Sequence, residues 1–228
     1  MTVFTRVLLN PRTRGGAKLL TNPQAMHAAV RAAFPPDVDE TNGRVLWRVD
    51  KHEHERVLYI VGPEKPTTRH IVEQAGWKTR PGDSADYGRF LDSLREGQRW
   101  RFELVANPTY AEHTPGKRGT VKAHVSAAHQ LGWLYKKSAG AGFLLAPRDG
   151  GDNRWTEADI PMVTERGTDH FYRNAQRKGR PVQIAKARFA GVLEVADAEL
   201  LRRTLVHGIG RARAYGCGLL TLAPVKQR

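Results

Sequence analysis

The sequence predicts an α+β fold made of two β-α-β-β-α-β units in tandem. Three observations carry this. Strand-like alternation and helix-like spacing follow one another in that order through the first 106 residues. The same order returns, with a weaker first strand and an inserted hairpin, after a stretch at 107–119 that holds Pro108, Pro115, Gly116 and Gly119. The 228 residues suffice for one large domain or for two of about 100 residues each. Each unit is expected to be ferredoxin-like, one sheet with two helices on one face. The expected division is 1–108 and 109–228, with no sequence repeat between the halves.

Taken in order, residues 3–9 alternate, with Val3, Thr5, Val7 and Leu9 on one face. Residues 10–18 read as a loop carrying Arg12, Arg14 and Lys18. Asn22-Pro23 supplies an N-cap and a proline at the first helical position. The helix runs to about Phe34 and stops at Pro35-Pro36, with Met26, Val30, Ala33 and Phe34 as its apolar face. His27 lies one residue past Met26, about 100° round the helix, on the rim of that face, and Arg31 is one turn further along. Residues 44–50 and 56–61 form a hairpin, 67–74 a short helix, 76–86 a loop, and 98–106 the strand that closes the first unit. In the second half, 126–137 is an amphipathic helix, 143–146 a strand, 149–153 a polar loop, and 161–172 partly extended. Residues 182–195 form a long strand, 197–206 the last helix and 218–223 the last strand.

The charge balance predicts the partner. The chain has 37 Lys+Arg against 23 Asp+Glu, a net charge of +14, which attracts polyanions and most often nucleic acid. Residues 1–108 carry 17 basic and 13 acidic side chains, and residues 109–228 carry 20 and 10, so the second half is the more cationic. The single cysteine excludes an internal disulfide and fits a reducing cytoplasm. No apolar run approaches the ~18 residues of a membrane span, so no membrane association is expected.

Three constellations carry possible chemistry. Residues 207–218 place two Gly-x-Gly pairs, Gly208/Gly210 and Gly216/Gly218, around a basic segment with Arg211 and Arg213. Glycines let backbone N–H groups approach a phosphate closely. The order here is helix, glycine loop, strand, which is the reverse of a dinucleotide-binding loop. Arg173, Arg177, Lys178 and Arg180 put four positive charges into eight residues at the tip of an expected hairpin, a pattern suited to displacing counterions from RNA phosphates. His27, with an ordinary pKa near 6.5, is the candidate for acid–base work. Its cationic surroundings are expected from Arg12, Arg14, Lys18 and Arg31. Lys51–Glu55 holds two histidines but lacks a partnering Cys/His cluster, so no metal or cofactor is expected.

Thr5–Pro11, Asn22-Pro23-Gln24-Ala25-Met26-His27, Arg101–Pro108, Phe189–Leu193, and Gly208-Ile209-Gly210 through Gly216-Cys217-Gly218-Leu219-Leu220 together resemble the CasE family. These are the CRISPR RNA-processing endoribonucleases of the Cascade complex, within the RAMP superfamily. The resemblance implies tandem ferredoxin-like domains and metal-independent cleavage of a CRISPR repeat transcript at the base of its stem-loop by 2′-OH attack. It further implies retention on the product RNA, other Cascade subunits as partners, and a monomer outside the complex. It gives His27 the acid–base role and offers Lys18 and Arg14 for charge stabilisation. The family often has a tyrosine three residues before the histidine, where this chain has Gln24. Glutamine can hydrogen-bond a ribose or phosphate but cannot titrate. That departure leaves a second reading open, an RNA-binding subunit that caps the hairpin without cutting.

Overall fold

The computed structural model describes residues 1–53, 55–114, 117–148, 154–174, 176 and 179–225. The first sheet contains β1 (Val3–Leu9), β2 (Leu46–His52), β3 (Glu55–Gly62) and β4 (Asp83–Asp86). Its order is β2-β3-β1-β4, antiparallel throughout. Helices α1 (Arg14–Thr21), α2 (Pro23–Arg31) and α3 (Arg69–Ala75) pack together beside it. The alternation of β1 buries Val3, Thr5, Val7 and Leu9, as the sequence pattern requires. Val7, Leu9, Leu58 and Ile60 from the sheet meet Leu19, Met26, Val30, Ile71 and Val72 from the helices in one core.

The loop expected at 10–18 is half helix. Thr13 caps α1 by accepting a hydrogen bond from the Gly16 N–H at 3.0 Å, and Arg14 and Lys18 are therefore helical. The glycine pair was the misleading signal. Gly15 and Gly16 are demanded by packing, since a Cβ on Gly15 would sit 2.0 Å from the Gln74 carbonyl oxygen and one on Gly16 1.8 Å from that of Asn10.

The second correction concerns which strand closes the first sheet. Residues 98–106 were expected there, but the place is taken by β4, within the expected loop 76–86. A helix the periodicity did not mark, α4 (Tyr87–Ser93), follows it. The strand β5 (Arg99–Ala106) belongs to the second sheet. It supplies the first strand that the second half otherwise lacks. β5 thus pairs in the second sheet although it precedes residue 108. The stretch 107–119, expected as an interdomain loop, mostly enters the hairpin β6 (Thr109–Thr114) and β7 (Lys117–Ala123); Pro115 and Gly116 lie outside the described residues.

The second unit continues with α5 (Ala127–Ser138), β8 (Phe143–Leu145), β9 (Met162–Phe171), β10 (Val182–Val195), α6 (Ala198–His207) and β11 (Leu220–Pro224). Its sheet runs β11-β5-β10-β8, with β9 also paired to β10. Both sheets thus have the strand order of a β-α-β-β-α-β unit, the tandem ferredoxin-like architecture. The larger core joins them. Leu46 and Val61 of the first sheet are buried with Phe102, Leu104, Trp133, Phe143, Phe189, Leu201 and Leu205 of the second unit.

A buried ionic network also spans the junction. Arg48 on β2 is 2% exposed and grips both carboxylate oxygens of Asp50, at 2.7 and 2.6 Å. It also donates to the carbonyls of Glu103 and Leu219 and to the Thr221 hydroxyl, on β5, the glycine segment and β11. Arg188 on β10 reaches back to Asp50 at 2.7 Å and to the Val49 carbonyl at 3.0 Å. Arg48 thus reaches acceptors of the second unit and Arg188 reaches acceptors of the first, which fixes the two sheets in one relative position.

Candidate active site

Helix α2 starts where the sequence signals it. Asn22 accepts hydrogen bonds from the Gln24 and Ala25 N–H groups at 3.0 and 3.2 Å, and Pro23 follows as the first helical residue. Met26 and Val30 are buried. His27 and Arg31 lie half-buried on the rim, as the 100° offset predicts.

Opposite this rim lies the glycine segment after α6. Its path uses left-handed backbone at Gly208, Gly210, Ala212, Gly216 and Gly218. Two of these show why alanine does not fit. At Gly216 (φ 77°) a Cβ would lie 2.7 Å from the Trp47 ring, and at Gly218 (φ 89°) it would lie 2.8 Å from the Ile209 carbonyl oxygen. The segment is a turn packed tightly against both units. This corrects part of the phosphate-cradle expectation. The Gly208 N–H already donates to Thr204 at 2.8 Å and the Gly218 N–H to Val105 at 2.7 Å, so neither is available to a phosphate. Gly216 and Gly218 are buried, whereas Gly210 is partly open.

The turn delivers two groups to α2. The Ala214 carbonyl acts on the His27 ring, opposing the fall in its pKa, and accepts from Trp47 Nε1 at 3.1 Å. The Tyr215 ring centroid is 5.8 Å from that of His27, and its hydroxyl donates to Gln24 Oε1 at 3.3 Å. Tyr215 is itself held by Phe171, at 4.7 Å between ring centroids, and through its carbonyl by Lys186 Nζ at 2.6 Å. A cleft of about 250 Å³ adjoins it, lined by Pro23, Arg56, Lys186, Arg188 and Gly216 among others.

Burial lowers the pKa of His27 below its ordinary value, and the positive charge of Arg31 lowers it further; the Ala214 carbonyl and Glu40 oppose the shift. The imidazole is therefore neutral near pH 7. A neutral imidazole carries one nitrogen with a lone pair that can take a proton.

Cations line the same junction. Arg31 pairs with Glu40, and Arg44 lies 3.7 Å from that carboxylate. Beyond Arg44, burial lowers the pKa of Arg213 and Arg44 adds repulsion. The Arg213 Nε is buried with no hydrogen-bond partner. His207 is likewise lowered by burial and then by Arg203, Arg213 and Arg44. These groups repel one another, so a phosphate placed among them relieves the repulsion. Arg211 is exposed.

Other expected residues stand apart. Arg14 and Lys18 occupy one exposed face of α1, four residues apart, and no hydrogen bond or ion pair joins them to His27 among the described residues. Arg12 is exposed. Arg173 and Arg180 are exposed between β9 and β10, which pair as the expected hairpin. Arg177 and Lys178 lie outside the described residues.

A family model described as "CRISPR associated protein" matches residues 3–224. The chain belongs to this family of CRISPR-associated proteins. It is 30% identical over 227 residues to the CRISPR-associated endoribonuclease Cse3 of Thermus thermophilus, covering 97% of this chain and 99% of that relative. It is 29% identical over 140 residues to the Cascade subunit CasE of Escherichia coli, covering 58% of this chain and 61% of CasE. The structure of Thermus thermophilus Cse3 bound to an RNA representing a pre-cleavage complex superposes with a TM-score of 0.75 at 28% identity, over 98% of this chain and 99% of that one.

Tyr215 is the residue beside His27 and Gln24 that sequence reasoning did not single out. The CasE resemblance drew attention to a tyrosine missing at position 24. The structure brings a phenol to Gln24 from the other unit, 191 residues away in the chain. The only sequence signal was that Tyr215 is the one aromatic residue among the glycines and arginines of 208–218. No local pattern says which helix it meets.

Proposed function

We propose that the protein is a metal-independent, site-specific endoribonuclease that cleaves a CRISPR repeat transcript at the base of its stem-loop. It then remains on the product RNA beside the other subunits of a Cascade-type complex. The observation that carries this reading is His27, neutral, packed against Tyr215 and set at a cationic junction between two ferredoxin-like units. The near full-length similarity to a named endoribonuclease supports it.

In the reaction, His27 accepts the proton of the ribose 2′-OH as that oxygen attacks the adjacent phosphorus. A 2′-O–P bond forms, the P–O5′ bond breaks, and the departing 5′-oxygen takes up a proton from water. The products are a 2′,3′-cyclic phosphate and a 5′-hydroxyl. Gln24, held by Tyr215, hydrogen-bonds the ribose or the phosphate. Lys18 and Arg14 stabilise charge on the phosphorane-like state. Arg12, Arg31, Arg211, Arg213, Arg173, Arg177, Lys178 and Arg180 hold the RNA backbone, with the open backbone at Gly210 beside them. Outside the complex the protein is proposed to be a cytoplasmic monomer; no described helix is long and apolar enough to cross a membrane.

The test is single-turnover cleavage of the cognate repeat RNA in EDTA, beside the same RNA with a 2′-deoxy sugar at the cut site. Cutting of the first and not the second is expected. Tight binding without cutting of either would favour the hairpin-capping reading, for which the non-titrating Gln24 is the supporting observation.

Two further outcomes are expected. Tyr215→Phe removes one hydrogen bond to Gln24 and should slow cleavage about three- to tenfold with RNA affinity unchanged; an unaltered rate assigns the phenol to packing alone. Arg173→Ala with Arg180→Ala should weaken stem-loop binding and lower the slope of log affinity against log salt by about 0.9 per lost phosphate contact. Identical slopes for wild type and variant would remove these arginines from the interface.

A further inference from the structure

A second cavity, of about 570 Å³, lies away from His27 on the first unit, lined by Arg12, Glu53, Glu55, Arg56, Trp77 and Arg80 among others. Trp77 is the most exposed of the large aromatic side chains, at 46%, while Trp47, Trp133 and Trp155 are buried. The backbone around it is fixed. Arg80 N–H donates to the Trp77 carbonyl at 2.8 Å, and the preceding residue, Gly76, bridges to Leu9. An exposed indole on a pinned turn loses little freedom when a flat partner settles on it.

The charges around the ring are unevenly paired. Arg80 is held by Glu55 at 3.2 Å. Arg56 donates only to the backbone carbonyls of His52 and Glu55. Among the described residues no carboxylate pairs with Arg12 or Arg56. Glu53 is the remaining acid, so the rim keeps a net positive charge. An aromatic face beside guanidinium groups that lack a carboxylate partner is the arrangement that takes an unpaired base with its phosphate. Arg56 also lines the cleft that holds Pro23 and Gly216 beside the His27 site. The two cavities therefore share a cationic wall.

We propose that this cavity is a subsite for an unpaired nucleotide flanking the stem-loop, whose base stacks on Trp77 and whose phosphate is held by Arg12 and Arg56. The inference rests on the RNA reading above and extends it to single-stranded flanks. Stacking tolerates any base, so the subsite should favour the presence of a flank over its sequence.

The experiment measures the affinity of the full chain for the bare stem-loop and for the stem-loop with a single-stranded 5′ or 3′ flank, at one salt concentration. Wild type, Trp77→Phe and Trp77→Ala are compared. In wild type one flank should tighten binding by about fivefold or more. Trp77→Ala should lose that gain while binding the bare stem-loop as wild type does, and Trp77→Phe should keep most of it. A 2-aminopurine at the stacked position should be quenched by wild type and not by Trp77→Ala, a signal that a merely structural tryptophan would not give. A flank gain that survives Trp77→Ala, or no flank gain in wild type, overturns the subsite while leaving the stem-loop reading intact. Loss of association with other complex subunits in Trp77→Ala, with RNA affinities unchanged, would overturn it in favour of a protein contact. Failure of the wild type to bind the stem-loop at all overturns both readings.

Discussion

His27→Ala is expected to reduce single-turnover cleavage by about 100- to 10,000-fold, the usual contribution of a positioned acid–base group. The affinity for uncut RNA should change little, because the imidazole is neutral at rest and contributes no phosphate-pairing charge. The pH profile is a sharper check. A base must be unprotonated, so the rate should rise with pH through the His27 pKa and level off above it. Burial and then Arg31 set that pKa below 6.5, so the wild-type rising limb should lie at lower pH than that of a free imidazole. Arg31→Ala removes a repelling cation and frees Glu40, both of which raise the His27 pKa. Its rising limb should therefore move to higher pH. A profile unmoved by Arg31→Ala would separate the titrating group from His27.

Asp50→Ala should destabilise the fold by about 3–5 kcal/mol, because it leaves Arg48 and Arg188 buried without their shared carboxylate. Urea denaturation measures this directly. Burial works against the Asp50 charge, but Arg48 and Arg188 hold its pKa below the ordinary 3.8. The contribution is accordingly present above that value and lost as pH falls through the lower folded-state pKa, so it is complete at neutral pH. A cost below about 1 kcal/mol would mean that the Glu103 carboxylate, 3.0 Å from Arg188 and 3.8 Å from Arg48, satisfies both arginines together with the surrounding carbonyls. The same substitution should slow cleavage in the fraction that remains folded. Asp50 ties the sheet beneath His27 to the unit that carries Ala214 and Tyr215, and a small shift between them breaks the contacts on His27 and Gln24.

The helix that carries His27 was legible from its residues because its signals are local. Asn22-Pro23 sets the start, and apolar spacing decides which side is buried. The rim position of His27 then follows from helix geometry alone. The hairpin between β9 and β10 was legible for the same reason, with its cations gathered between two extended runs. Where glycine and proline served as punctuation the reading failed. Gly15 and Gly16 marked close packing inside a helix, and the Pro/Gly stretch at 107–119 marked a hairpin instead of a boundary. In each case the residue answered to a distant backbone that local pattern does not contain.

Strand membership failed by a different route. Residues 99–106 have the alternation of a strand in either sheet. Only their pairing with β10 and β11, more than 80 residues further on, assigns them to the second unit. Sequence by itself determined the two-unit α+β class, the positive charge that attracts nucleic acid, and the histidine on its helix rim. Tertiary structure alone decided that Tyr215 meets Gln24 and His27, and that Arg48, Asp50 and Arg188 lock the units together. The first set rests on period, capping and composition, which act over a few residues. The second rests on contacts between segments far apart in the chain, which exist only once both sheets have formed and their common core has closed.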